Sequence, residues 1–216
     1  MKYKSIIIIS ICLFCFACKH KNKVNKVPSI AESRDSAATR RVAPRKIYTF
    51  GEVVDSYNGV NVYYNGSVST ITERNLAPDG YNLGLKYQCV EFVKRYYYEY
   101  FHHAMPDTYG DAKDFFDKSL ADGALNPKRD LLQFKNPSKF RPQPNDIIVW
   151  KGNKGNPFGH IAIISDTNCC VIEIVQQNPG PTAPSRDEFA TVLYKGKWKV
   201  CALDIVGWLR RREDGR

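Results

Sequence analysis

A thiol, an imidazole and a side-chain amide stand in this chain in contexts that suit nucleophilic catalysis: Cys89 in GLKYQCVEFVKR, His160 in GHIAII and Gln176 in IVQQN. A thiol attacks as its thiolate, and a helix N-terminus stabilises that anion with free N–H groups and a positive dipole end. Cys89 heads a stretch in which Phe92/Val93, Tyr96/Tyr97 and Tyr100/Phe101 recur every three to four residues, the period of a helix with one buried face. Taken alone, Cys89 would also suit a core position. A nucleophile needs a base. His102 and His103 follow the helix, whose own length holds them away from Cys89. His160 opens a strand after a glycine-rich loop and is free to converge on the thiol.

A third group should fix the tautomer and tilt of the imidazole. CCVIEIVQQN runs antiparallel to HIAIIS across a DTN turn, so its far end returns beside His160. Gln176, Gln177 and Asn178 come within reach. By alternation Gln176 shares a face with Ile172 and Ile174, whereas Glu173 points to the other face nearer mid-strand. Gln176 is therefore the expected orienter, with Asn178 and Glu173 as supporting candidates.

These residues need a scaffold. Alternating β-branched and aromatic residues broken by Asn-Gly turns over residues 47–71 predict short strands. The spacing predicts a helix over 89–101 and a second over 111–121 (DAKDFFDKSLA), then a Pro/Lys/Asn-rich loop to Pro144. DIIVW, HIAIIS, CCVIEIVQQN, ATVLYKG and KWKVCALDIVGWL then read as successive strands. Helix first and antiparallel sheet after make an α+β fold, the Cys89 helix packed on the sheet.

The formal charge of +10 suggests a polyanionic partner until it is located. Residues 1–46 hold eleven Lys/Arg against Glu32 and Asp35, a charge of +9, which leaves +1 for residues 47–216. With no basic stripe in the folded part, nucleic acid is not an expected partner. MKYK followed by SIIIISICLFCFA is a basic segment and a short apolar run, the layout of a secretory signal, and shorter than the roughly 20 residues of a membrane span. Expected organisation is a signal peptide over 1–18, a basic flexible tether over 19–46, and a catalytic domain over 47–212. Cys12, Cys15 and Cys18 fall in the first of these; among Cys89, Cys169, Cys170 and Cys201 no pair has C-x-x-C spacing, so no zinc site is expected. A bridge from Cys201 to Cys169 or Cys170 stays open.

In order along the chain, GEVVDSYNGVNVYYN, LKYQCVEFVKR, NDIIVW, GHIAII, IVQQN and IVGWL resemble the CHAP amidohydrolases and peptidases of the papain-like NlpC/P60 group, above all the amidase domain of bifunctional glutathionylspermidine synthetase/amidase. The resemblance covers roughly residues 51–209. It implies a papain-like fold, Cys89 as nucleophile and His160 as base. The family usually carries Glu in an E-Q-N triplet where this chain has Gln176 in Q-Q-N; an amide can orient an imidazole but offers no full negative charge. The implied reaction is attack of Cys89 on an amide, protonation of the leaving amine by His160, and hydrolysis of the thioester, with the Cys89 backbone N–H and the Gln88 side chain as oxyanion donors. No cofactor or metal is implied.

Ala17-Cys18 resembles the lipobox of bacterial lipoproteins, with Cys15 where Leu is usual, so Cys18 would carry a lipid anchor in the cell envelope on the periplasmic side; cleavage and secretion is the alternative. The expected function is an exported cysteine amidase or endopeptidase acting on peptidoglycan. A glutathionylspermidine-type conjugate amidase and a non-catalytic wall-binding lipoprotein are the alternatives.

Overall fold

Asn58 and Gly59, both at positive φ (48° and 83°), make the two-residue turn that joins strands β1 (Val53–Tyr57) and β2 (Val60–Tyr63); such hairpins require left-handed backbone at both turn positions. The computed structural model describes residues 47–180 and 182–212. The expected signal peptide with Cys18, and the tether 19–46, lie outside the described residues. A second hairpin, β3 (Arg74–Leu76) with β4 (Asn82–Leu85), leads into helix α1 (Cys89–Phe101). The helix ends at His102, which takes a left-handed conformation (φ 53°) while its N–H and that of His103 bond to the Tyr97 carbonyl, a left-handed C-terminal cap.

Eight further strands follow: β5 (Ala124–Asn126), β6 (Leu131–Lys135), β7 (Ile147–Trp150), β8 (His160–Thr167), β9 (Val171–Val175), β10 (Arg186–Tyr194), β11 (Lys197–Val200) and β12 (Ile205–Arg210). They form one sheet in the order β11-β10-β9-β8-β7-β12-β6-β5, antiparallel at every pairing. Side chains alternate across it. Ile147, Val149, Ile161, Ile163 and Val175 join Phe92, Val93, Tyr96 and Tyr97 of α1 in one apolar cluster. Ile148, Ala162, Ile164, Ile172 and Ile174 build a second cluster with Phe134 and Trp208. An antiparallel bridge between Ser138, just past β6, and Trp198 of β11 turns the sheet back on itself around that second cluster.

The α+β expectation holds with one α-helix instead of two. Residues 111–121 form only a 3-10 turn, Ala112–Phe115. The Gln133 side chain accepts from the Asp117 N–H (2.9 Å) and donates to its C=O (2.6 Å), while the Asp117 carboxylate takes the Ser119 N–H (2.9 Å). These local bonds satisfy the groups a helix would have used. The expected loop to Pro144 contains β5 and β6, drawn into the sheet by the buried Leu131 and Phe134, and β10 starts at Arg186, upstream of the expected ATVLYKG.

Candidate active site

Cys89 is the first residue of α1, preceded by Gln88 in extended conformation. Its backbone N–H is one of the first-turn amides that the i→i−4 ladder cannot use. His160 is the first residue of β8, paired with Trp150 of β7, and the two rings lie 5.5 Å apart. Gly159 immediately before it has φ +76°, and a Cβ there would stand 2.5 Å from the Trp150 carbonyl oxygen. Only glycine lets the loop pass so close to β7 on its way to the histidine.

Cys89 and His160 line one cavity of about 350 Å³, together with Gln88, Tyr109, Phe158 and Asn178. His160 Nε2 lies 2.8 Å from Gln176 Oε1, and Gln176 Nε2 donates to the Pro184 carbonyl at 3.2 Å. With its oxygen as acceptor, Gln176 holds the proton of His160 on Nε2 and leaves Nδ1 as the basic nitrogen. The predicted orienter thus meets the predicted base.

Electrostatics depart from expectation. A helix N-terminus should favour the Cys89 thiolate, yet burial pushes the thiol up to about 11, against the downward pull of the Ile161, Val90 and Cys89 backbone amides. Burial lowers the His160 pKa below its usual 6.5, the Gln176 hydrogen bond opposing it. Near neutral pH the pair is therefore neutral thiol and neutral imidazole. Such a pair can still react, with His160 taking the proton as the sulfur attacks.

The supporting candidates separate. Asn178 donates to Gln88 Oε1 (2.7 Å) and to the Val68 carbonyl (3.1 Å) at the cavity wall. The Gln88 side chain is not free to receive an oxyanion: its nitrogen donates to the carbonyls of Thr70 (2.7 Å) and Val68 (3.4 Å). It braces the 68–70 loop. Glu173 is not at the cavity; its carboxylate accepts from Ser165 Oγ and Arg186 Nη1, both at 2.7 Å. His102 and His103 stay beyond the far end of α1, His103 bonded to the Arg129 carbonyl at 2.9 Å.

Sequence reasoning missed a buried polar network under the helix start. Glu91 accepts from Arg95 Nε (2.6 Å), Asn75 Nδ2 (2.7 Å) and Gln177 Nε2 (2.7 Å), and Gln177 also donates to the Gln88 carbonyl (3.0 Å) while accepting the Tyr63 N–H (2.8 Å). Glu91 and Gln177 are fully buried, and Glu91 receives all three of those donating side chains. The i,i+4 spacing of Glu91 and Arg95 was the available signal. Asp146, just before β7, is likewise buried and accepts two 2.8 Å bonds from Arg210.

Cys89, Cys169, Cys170 and Cys201 are all free thiols, the last three exposed. The Cys170 carbonyl accepts from Thr191 and the Cys201 N–H donates to Ala190, so β10 runs between them. Two strand spacings, roughly 10 Å, exceed the reach of a disulfide. Among the described residues no group of three or more His, Cys, Asp or Glu side chains converges to hold a metal.

Comparison with known proteins finds the CHAP domain over residues 79–178, a span that includes Cys89, His160 and Gln176. The chain is 31% identical over 152 residues to the bifunctional glutathionylspermidine synthetase/amidase of Escherichia coli (strain K12), covering 65% of this chain and 24% of that protein. It is 27% identical over 130 residues to the trypanothione synthetase of Crithidia fasciculata, covering 60% of this chain and 20% of that protein. The chain thus spans a quarter or less of the length of these relatives. Among solved structures, the wild type endolysin LysIME-EF1 aligns over 67% of this chain and 60% of its own, with 17% identity and a TM-score of 0.38.

Proposed function

From the CHAP domain over residues 79–178, we propose that this chain is a cysteine-dependent amide hydrolase of papain-like fold, with Cys89 as nucleophile, His160 as general base and acid, and Gln176 as the residue that positions His160. The observation that carries the reading is the 2.8 Å contact of His160 Nε2 with Gln176, made at the cavity that also holds Cys89. The Cys89 sulfur attacks an amide carbon while Nδ1 of His160 accepts its proton; the carbon–nitrogen bond breaks as that proton passes to the leaving amine. Water, deprotonated by the same nitrogen, then hydrolyses the thioester. The Cys89 backbone N–H supplies an oxyanion donor at the helix start.

Peptidoglycan stem peptides are the proposed substrate, in an exported chain with a signal peptide over 1–18, a lipid anchor on Cys18, a tether over 19–46 and a catalytic domain over 47–212. The signal-like apolar run before Cys18 and the basic tether support that location. The test is incubation of the protein with purified peptidoglycan and mass spectrometry of released fragments beside a Cys89→Ala control. New amine and carboxyl ends that vanish in the control are the expected result. A second reading, hydrolysis of a glutathione–polyamine conjugate, draws on the synthetase/amidase relative; release of spermidine from glutathionylspermidine, with intact peptidoglycan, would select it.

A further inference from the structure

Among the described residues lining the Cys89 cavity, Arg74 and Asp111 alone carry a full charge. Asp111 has a cation nearby, Lys113 Nζ at 3.8 Å. Arg74 has no carboxylate within ion-pair distance among the described residues, whereas Arg95, Arg186, Arg210 and Arg212 all do. Its guanidinium is nevertheless held in place. It lies 5.0 Å over the ring of Tyr109, and Nη1 donates to Asn82 Oδ1 at 3.4 Å. Asn82 is buried and itself fixed, donating to the Thr108 carbonyl (3.1 Å) and accepting the Gly84 N–H (3.1 Å). One nitrogen is thus tethered and one face is stacked, while the remaining N–H groups have no hydrogen-bond partner among the described residues. An exposed arginine held at a cleft without a counter-charge is arranged for a planar anion that can take two parallel hydrogen bonds.

Resting on the hydrolase reading, we infer that Arg74 is a specificity-determining residue that binds a free carboxylate of the substrate. The substrate class narrows accordingly to amides whose neighbouring residues carry an unblocked carboxylate, in preference to their amidated or esterified forms. The exposed apolar side chains of Val68, Ile71 and Phe158 at the same cavity offer the uncharged part of such a substrate its contacts. The cavity's modest volume, at the low end for ligand sites, suits a short peptide segment.

The experiment compares kcat and KM of the wild-type chain, Arg74→Gln and Arg74→Lys on two probe pairs: a peptidoglycan stem tripeptide with free or amidated carboxylates, and glutathionylspermidine with its γ-glutamyl carboxylate free or amidated. Expected is a wild-type preference of about tenfold to a hundredfold for the free carboxylate, carried mainly by KM. Arg74→Gln should collapse that ratio toward one, and Arg74→Lys should restore part of it. The pair that shows the effect identifies the source of the carboxylate. Equal use of free and amidated forms by the wild type, or a ratio unchanged in Arg74→Gln, overturns the inference. Should no probe be cleaved, the hydrolase reading fails for these substrates, and calorimetric binding of the same probes to Cys89→Ala and to Cys89→Ala/Arg74→Gln decides the Arg74 question separately. Tighter binding of the free carboxylate that needs Arg74 supports the subsite; equal or absent binding overturns it.

Discussion

Gln177 donates a 3.0 Å hydrogen bond to the carbonyl of Gln88, the residue that precedes Cys89. Through it the end of β9 and the start of α1 are joined by a side chain whose neighbour, Gln176, holds His160. Cys89 and His160, the proposed nucleophile and base, are therefore set in register by two consecutive glutamines.

Gln177→Ala removes that join and leaves the Tyr63 N–H and part of the Glu91 carboxylate without their partner, while the Gln88 carbonyl keeps only the Phe92 N–H at 3.2 Å. Each buried group left unpaired costs about 1–3 kcal/mol, so thermal unfolding should move down by several degrees. Measured well below the new midpoint, kcat should fall by about tenfold or more because the helix start is no longer fixed, with a smaller change in KM. A variant that is destabilised but turns over normally would limit Gln177 to a structural role.

Glu91→Ala should be the most damaging change near the site. It leaves Arg95, whose side chain is only 6% exposed, without its carboxylate, and breaking a buried pair from one side costs about 3–5 kcal/mol. Glu91→Gln keeps the shape and should recover part of that loss in a denaturant titration.

Gln176→Glu places a negative charge on the imidazole. His160 then holds its proton to higher pH, so the acid limb of the kcat/KM profile should shift upward and the rate on its plateau should rise. Gln176→Ala should lower kcat at all pH values; full activity in that variant would remove Gln176 from the mechanism.

With His160 below its usual 6.5 and Cys89 at about 11, the wild-type chain should show kcat/KM falling only in acid, as His160 protonates, and flat through neutral pH. Alkylation of Cys89 by iodoacetamide, which requires the thiolate, should climb about tenfold per pH unit toward about 11. A plateau of alkylation between pH 5 and 8 would instead reveal a preformed thiolate–imidazolium pair.

What could be read from the sequence was whatever rests on local periodicity. The limits of α1 follow from the spacing of Phe92, Val93, Tyr96 and Tyr97, and the His160–Gln176 contact follows from one tight turn between two strands. What escaped depends on partners distant along the chain. Residues 111–121 have a helical pattern, but Gln133, sixteen residues beyond Asp117, takes the backbone bonds. Cys89 sits at a helix N-terminus, which predicts a low thiol pKa, yet the enclosing residues remove the water on which that anion would depend. Gln88 carries the right atoms for an oxyanion donor, and only the folded 68–70 loop shows that they are already engaged. Arg74, in a three-residue strand with no periodic signal, was invisible until the cavity placed it.

The bridge between Ser138 and Trp198 also bears on how copies of the chain behave toward one another. β11 ends the sheet, and an outermost strand presents unpaired donors and acceptors on which a second molecule can grow. Ser138 and Trp198 exchange both backbone bonds, at 2.9 and 2.7 Å, and occupy that template at the centre of β11, while Lys197 and Lys199 flank it with like charges. At the opposite end β5 is only three residues long. Both borders are thus blunted, and opening the one at Ser138 would expose β11 to pairing with a second copy of the chain.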